Sequence, residues 1–366
     1  MKRRSSGTTR LGIRRRFAPS DERGVALVLT LFIVALVSVL VLEYHFEAAV
    51  ELDLAHNYGS DVQAYHVAMS GMRLAQELLA YDDSEADGPQ DSWYRVGLIP
   101  ACISPQTFLE LAVADAAGAS LGAGVLGQAG LESAAAASGV DRGCVSLKIQ
   151  AEEERLPINA LVPAELPDGT AEPLVEESTR LQEDWVVIFE TLFIQLGIHT
   201  SLLDALVGWL EDNGPMRSRG ELRLVPGFDV DVVRKLSPFV TAYGTPELET
   251  DRLQYPKVNI NTANSQVLRA LIEGISDSAG DMSGYVDDIM ALRADNLVQN
   301  RQIESTSELQ DYLPDEVQGE FDKFATVQGE YFTVTSIARV EDIQKTVVAV
   351  LQPTDNGTEP VYFRIE

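Results

Sequence analysis

The chain has 366 residues, 45% of them hydrophobic, and a formal charge of −28; that length suits two domains of ordinary size. The charge is uneven: residues 1–24 hold eight Lys/Arg and two Asp/Glu, a net +6, which leaves −34 for the rest. So acidic a body excludes polyanion binding driven by bulk charge. Four scattered histidines and two cysteines, with neither CxxC nor HExxH spacing, exclude a recognisable zinc framework.

The leader ends in Glu22-Arg23-Gly24, and residues 25–42 are an uncharged apolar run interrupted only by Thr30 and Ser38. As a helix, such a run spans roughly 27 Å, enough to cross the hydrocarbon core of a bilayer. A basic leader and an acidic body put the N-terminus in the cytoplasm and the body across the membrane. An ordinary secretory signal is cut after its apolar run and loses it. Here the plausible cleavage residue, Gly24, precedes the run, so the run would survive as the new N-terminus.

Helical character continues from Glu43 to about Ala80 without a proline. Ala64, Ala68, Gly71, Ala75 and Leu78 share one face, and small side chains there let a helix lie close to a sheet. A helix over 25–80 would be roughly 80 Å long, its first half in lipid. Residues 81–143 form a variable loop region that opens with the turn-rich Asp82-Asp83-Ser84-Glu85-Ala86-Asp87-Gly88-Pro89 and includes an Ala/Gly-rich tract at 112–139. Cys102 and Cys144 are a disulfide candidate in an oxidising compartment, worth very roughly 4 kcal/mol; two buried thiols are the other reading.

Strand patterning begins at Val145, Leu147 and Ile149 and resumes at Leu156, Ile158 and Ala160 after Glu152-Glu153-Glu154-Arg155, which predicts a hairpin. A second hairpin is predicted from 331–340 and 344–351, with 361–365 as an edge strand. Between the two, 172–327 is helical in pattern, with helices over 184–195, 201–210, 265–272 and 284–294. The expectation is an α+β chain: leader 1–24, membrane-spanning helix 25–42, its outer continuation 43–80, loop region 81–143, first sheet strands 144–171, an inserted α-helical domain 172–327, and last strands 328–366.

Within the insertion, Leu224-Val225-Pro226-Gly227-Phe228 before an apolar helix looks like a helix-hairpin-helix. Val258-Asn259-Ile260-Asn261-Thr262-Ala263 resembles the opening of another, with Asn261 or Thr262 able to cap the next helix. Such hairpins hold phosphate in DNA-binding proteins, but residues 175–327 carry 12 Lys/Arg against 27 Asp/Glu, so they read as packing units. Gly122-Ala123-Gly124-Val125-Leu126-Gly127 matches G-x-G-x-x-G without a preceding strand, which removes the context a dinucleotide site needs. Glu211, Asp212 and Asn213, and separately Glu247, Glu249 and Asp251, offer hard oxygen donors of the kind calcium takes, against the plainer reading of solvated acidic loops. No motif gives enzyme activity a footing.

Together these pieces resemble the K-type minor pseudopilin family of bacterial type II secretion systems. The likeness rests on four parts. They are Arg23-Gly24 with the apolar helix, Leu156-Pro157-Ile158-Asn159-Ala160-Leu161, Val258-Asn259-Ile260-Asn261-Thr262-Ala263, and the closing hairpin from Tyr331-Phe332. It implies a pilin-like long helix packed on a small antiparallel sheet, with an inserted all-α domain of helix-hairpin-helix or SAM-like units. It implies cleavage between Gly24 and Val25 by a prepilin peptidase, with methylation of the new Val25 amine. It implies an inner-membrane protein with a periplasmic body, assembled with I, J and H type minor pseudopilins at the tip of a pseudopilus. The major pseudopilin shaft and the inner-membrane assembly platform would be further partners, and nucleic acid would not.

Most pilins carry Glu at the fifth mature residue; here that position is Leu29, a loss the K type shares. Family members can bind calcium in the helical domain, and the acidic stretch after Trp209 is weaker in this chain. Val25 stands where pilins usually have Phe. The alternative reading is a membrane-anchored helix-hairpin-helix DNA receptor of the competence type, against which the acidic insertion argues.

Overall fold

The computed structural model describes residues 22–82, 85–99, 102–104, 143–167, 170–249, 252–276, 282–354 and 357–366. The Ala/Gly-rich tract, the G-x-G-x-x-G match and Asp251 lie outside them. The chain divides into two units, one ending at Gly59 and one from Ser60 to Glu366.

Helix α1 (Glu22–Ala80) runs through the first unit into the second. In the first unit, every described side chain from 24 to 59 is exposed. Its two in-run hydroxyls are satisfied inside the helix: Thr30 Oγ1 donates to the Leu27 carbonyl and Ser38 Oγ to the Val34 carbonyl. Internal satisfaction of this kind is what a polar group in lipid requires.

In the second unit, residues 60–80 of α1 lie on a four-stranded antiparallel sheet. Its strands are β1 (Cys144–Ala151), β8 (Phe332–Val340), β9 (Ile343–Thr354) and β10 (Gly357–Ile365), in that spatial order. Ala64, Ala68 and Ala75 have no exposed surface and pack with Val145, Leu147, Val334 and Val347 in one core. Gly71 is the closest approach: a Cβ there would press into Ser336 Oγ and the Val145 side chain. Short helix α2 (Ser92–Gly97) covers β1, where Trp93 meets Phe332 edge-on at 5.0 Å.

The first predicted hairpin does not form. β1 pairs along its whole length with β8, from Cys144↔Arg339 to Ala151↔Phe332. After a 3-10 turn at Glu152–Glu154, β2 (Leu156–Pro157) pairs in parallel with β3 (Val240–Thr241) instead. The reason is visible in the burial. Ile158, Asn159, Ala160 and Leu161 are all buried in a 3-10 turn, so the apparent alternation is a wholly buried segment. Pro157 also lacks the N–H a ladder needs.

The insertion contains α3 (Glu172–Gln195), α4 (Ser201–Asn213), α5 (Val230–Leu236), α6 (Ser265–Ile275), α7 (Ser283–Val298) and α8 (Asp315–Gln318). A small antiparallel pair, β4 (Glu247–Glu249) with β5 (Arg252–Gln254), precedes β6 (Val258–Asn259), which pairs in parallel with β7 (Ala325–Thr326). Trp185, Ile188, Phe189 and Leu192 of α3 pack with Val267, Leu268 and Leu271 of α6. Gly274 lets them meet, since a Cβ there would fall 2.6 Å from Ile188 Cα.

The insertion begins at β2, earlier than the predicted 172, because of the first strands only β1 joins the four-stranded sheet; it is a tandem repeat. Each copy has a short strand, a buried asparagine, two helices, a Ser-x-x-Glu capping box on a 3-10 turn, a short helix and a second strand parallel to the first. The capping boxes are Ser218/Glu221 and Ser305/Glu308, each followed by a buried leucine, Leu222 and Leu309. Copy one closes with β2–β3 and copy two with β6–β7.

Candidate functional site

Gly24, Val25 and Leu29 all lie in α1, and no carboxylate occurs between residues 25 and 42. This helix is long and apolar enough to cross a membrane, and its apolar window is wholly exposed. It fits single-pass anchoring. A carboxylate at mid-membrane costs about 2.5–3.5 kcal/mol on insertion scales, and Leu29 carries none.

Cys102 and Cys144 are bonded, with Cα atoms 5.2 Å apart. Beside the bond, Ile103 and Val145 exchange both backbone hydrogen bonds, at 3.0 and 2.8 Å. Residues 102–104 are thereby held against the start of β1.

The two buried asparagines act as clamps. Asn159 Nδ2 donates to the carbonyls of Met216 (3.0 Å) and Ala242 (2.8 Å), while its Oδ1 accepts from Met216 N (2.8 Å). In the second copy, Asn261 Nδ2 donates to the Ile303 carbonyl (2.8 Å) and its Oδ1 accepts from Ile303 N (3.1 Å). Sequence reasoning gave Asn261 or Thr262 the capping role; the cap of α6 is Asn264, whose Oδ1 accepts from Val267 N. Only the spacing of Asn159 and Asn261 within similar hexapeptides hinted at the shared role.

Asn259 does a further job. Its Nδ2 donates to the Asp87 carbonyl at 3.0 Å, Asp87 N donates to the Val327 carbonyl, and Gly329 N donates to Asp87 Oδ2 at 2.7 Å. Gln302 Nε2 also donates to the Ala86 carbonyl. The loop leaving α1 is therefore anchored in the second repeat. A second anchor is Glu152, nearly fully buried, which sequence reasoning read only as part of a turn. It accepts from Thr241 Oγ1 (2.6 Å) and Thr333 Oγ1 and pairs with Arg155 Nη1 at 3.0 Å. Sheet and insertion are joined through one carboxylate.

Among the described residues, the calcium candidates are divided between the end of α4 and β4. Glu211, Asp212 and Asn213 end α4, where Asn213 Nδ2 donates back to the Trp209 carbonyl. Glu247 and Glu249 sit on β4, and Glu247 accepts from Thr245 Oγ1. Glu211 and Glu247 do line one cavity of about 680 Å³ with Glu165. Among the described residues, the three carboxylates that come within 4.8 Å of one another are a different set, Asp82, Asp87 and Asp91. In that set Asp87 and Asp91 already accept backbone N–H groups, from Gly329 and Gly88. Burial, reinforced by the Asp82 charge, raises the Asp87 carboxyl to about 6 against the pull of Gly329 N–H and Trp93.

Residues 154–246 match the family model "Type II secretion system (T2SS), protein K". No curated protein gives a significant sequence match. A chain in the crystal structure of the GspK-GspI-GspJ complex from the enterotoxigenic Escherichia coli type 2 secretion system has the same fold. Its TM-score is 0.53 at 14% identity, over 86% of this chain and 99% of that one.

Proposed function

We infer that the chain, which the protein K match and the fold support as a K-type minor pseudopilin of the type II secretion system, caps the pseudopilus and starts its assembly. The similar structure is a chain from a complex named for three components, GspK, GspI and GspJ. By analogy, I- and J-type minor pseudopilins are the proposed direct partners. An H-type subunit, the major pseudopilin shaft, the inner-membrane platform and the prepilin peptidase are further proposed contacts. The body is periplasmic in this reading, and the role is structural.

The observation that carries the tip assignment is Leu29. A shaft subunit's carboxylate at this position is matched in lipid by the N-terminal amine of a neighbour. A subunit that begins the fibre has no neighbour above it to supply that register, so an apolar residue removes a cost rather than an interaction. The inserted double repeat adds to this, because it is bulk outside the helix-and-sheet core that subunits of a shaft share. Deleting the gene should reduce or deregulate pseudopili and abolish secretion of folded substrates; unchanged pseudopilus number and secretion would rule the tip role out.

A further inference from the structure

The two repeats share a scaffold but differ in charge where their hairpins meet solvent. Residues 217–236 of the first hold five basic and three acidic residues; residues 304–323 of the second hold one basic and seven acidic. Aligned on the capping boxes, the structural positions coincide: Ser218 with Ser305, Glu221 with Glu308, Leu222 with Leu309. At exposed positions the character reverses. Arg217 corresponds to Glu304, Arg223 to Gln310 and Leu224 to Asp311. The same fold is built with either set, so the scaffold does not require the arginines or the leucine.

The acids of the first hairpin are already engaged. Glu221 Oε1 accepts from Arg217 N and Ser218 N, Asp229 Oδ1 accepts from Val232 N, and Asp231 pairs with Arg234 at 2.7 Å. Arg219 donates to the Ser237 carbonyl. The side chains of Arg217, Arg223 and Lys235 have no ion pair or hydrogen bond among the described residues. Between these cations Leu224 and Val230 are 65% and 68% exposed.

We propose that this first hairpin is a docking surface for an acidic protein segment that also carries apolar side chains. Charge complementarity selects the acidic occupant, and exposed Leu224 and Val230 select one with apolar groups. A nucleic acid fits less well: the α5 amides that would hold a phosphate at a helix-hairpin-helix are capped by Asp229.

The test uses the mature full chain in detergent and a labelled ten-residue peptide of eight Glu and two Leu, with micelle background subtracted. Arg217→Glu, Arg223→Gln and Leu224→Asp together give the first hairpin the second hairpin's residues, which this scaffold already accommodates. Fluorescence anisotropy should show salt-sensitive binding that the triple variant weakens at least tenfold with an unchanged melting curve, while Glu304→Lys leaves it no weaker. No binding by the native chain, or equal binding by the triple variant, overturns the proposal. So does a labelled DNA duplex that binds the native chain, displaces the peptide and is lost in the triple variant. None of these readouts depends on the tip assignment.

Discussion

The Ser336 hydroxyl of β8 donates to the Ala68 carbonyl of α1 across 2.8 Å. This contact between helix backbone and sheet exists because Gly71, one turn on, presents no side chain to Ser336 or Val145. Gly71→Leu would force the helix off the sheet and break the contact. Overpacking of this kind costs about 1–3 kcal/mol or more. Urea unfolding of the mature protein should show that loss; a midpoint equal to the native one would contradict the packing described.

The asparagine clamps make a sharper stability prediction. Asn159→Ala removes three hydrogen bonds and leaves Met216 N–H buried without its partner. An orphaned buried polar group costs about 1–3 kcal/mol, so a loss of roughly 2–4 kcal/mol is expected. Asn261→Ala should act alike on the Ile303 turn. Hydrogen exchange should locate each effect in its own repeat, at Met216 for one variant and Ile303 for the other.

Asp87 sets a pH dependence. Its folded carboxyl is raised to about 6 by burial, so the folded state holds the proton more tightly than the unfolded chain. The group therefore contributes stability below about pH 4 that is lost as the pH rises through about 6, roughly 3 kcal/mol. Asp87→Asn can still accept from Gly329 N and carries no charge toward Asp82 and Asp91. It should melt higher than the native protein at pH 7.5, and the gap should close at pH 4. A lower melting temperature at pH 7.5 would contradict this.

Gly24 is the expected cleavage residue of a peptidase whose site admits no larger side chain. Gly24→Leu should leave a precursor about 24 residues longer, seen by mass spectrometry, with secretion blocked. A correctly trimmed product would remove the pilin-type leader from the account.

Much of this fold was legible from local pattern. The apolar run at 25–42, the small-residue stripe on α1 and the β-branched enrichment of β8 and β9 are local signals that burial and strand preference write directly into sequence. The pairing of β1 was not legible, because its partner lies beyond the whole insertion, and near Leu156 only Pro157 marks the change from strand to buried 3-10 turn. Glu152 was also missed: its partners Thr241 and Thr333 are distant in sequence, and a run of three glutamates reads as solvated. The repeat was half visible in the two asparagine hexapeptides; the paired capping boxes needed the structure to align them.

As proposed above, this chain would be the K-type subunit of a minor-pseudopilin tip complex. The most direct measurement is co-expression of the mature protein with the I- and J-type minor pseudopilins of the same cell, followed by size-exclusion chromatography with light scattering. The account predicts one species containing a single copy of each. Separate elution of the three proteins at micromolar concentration, with each otherwise folded, would contradict it.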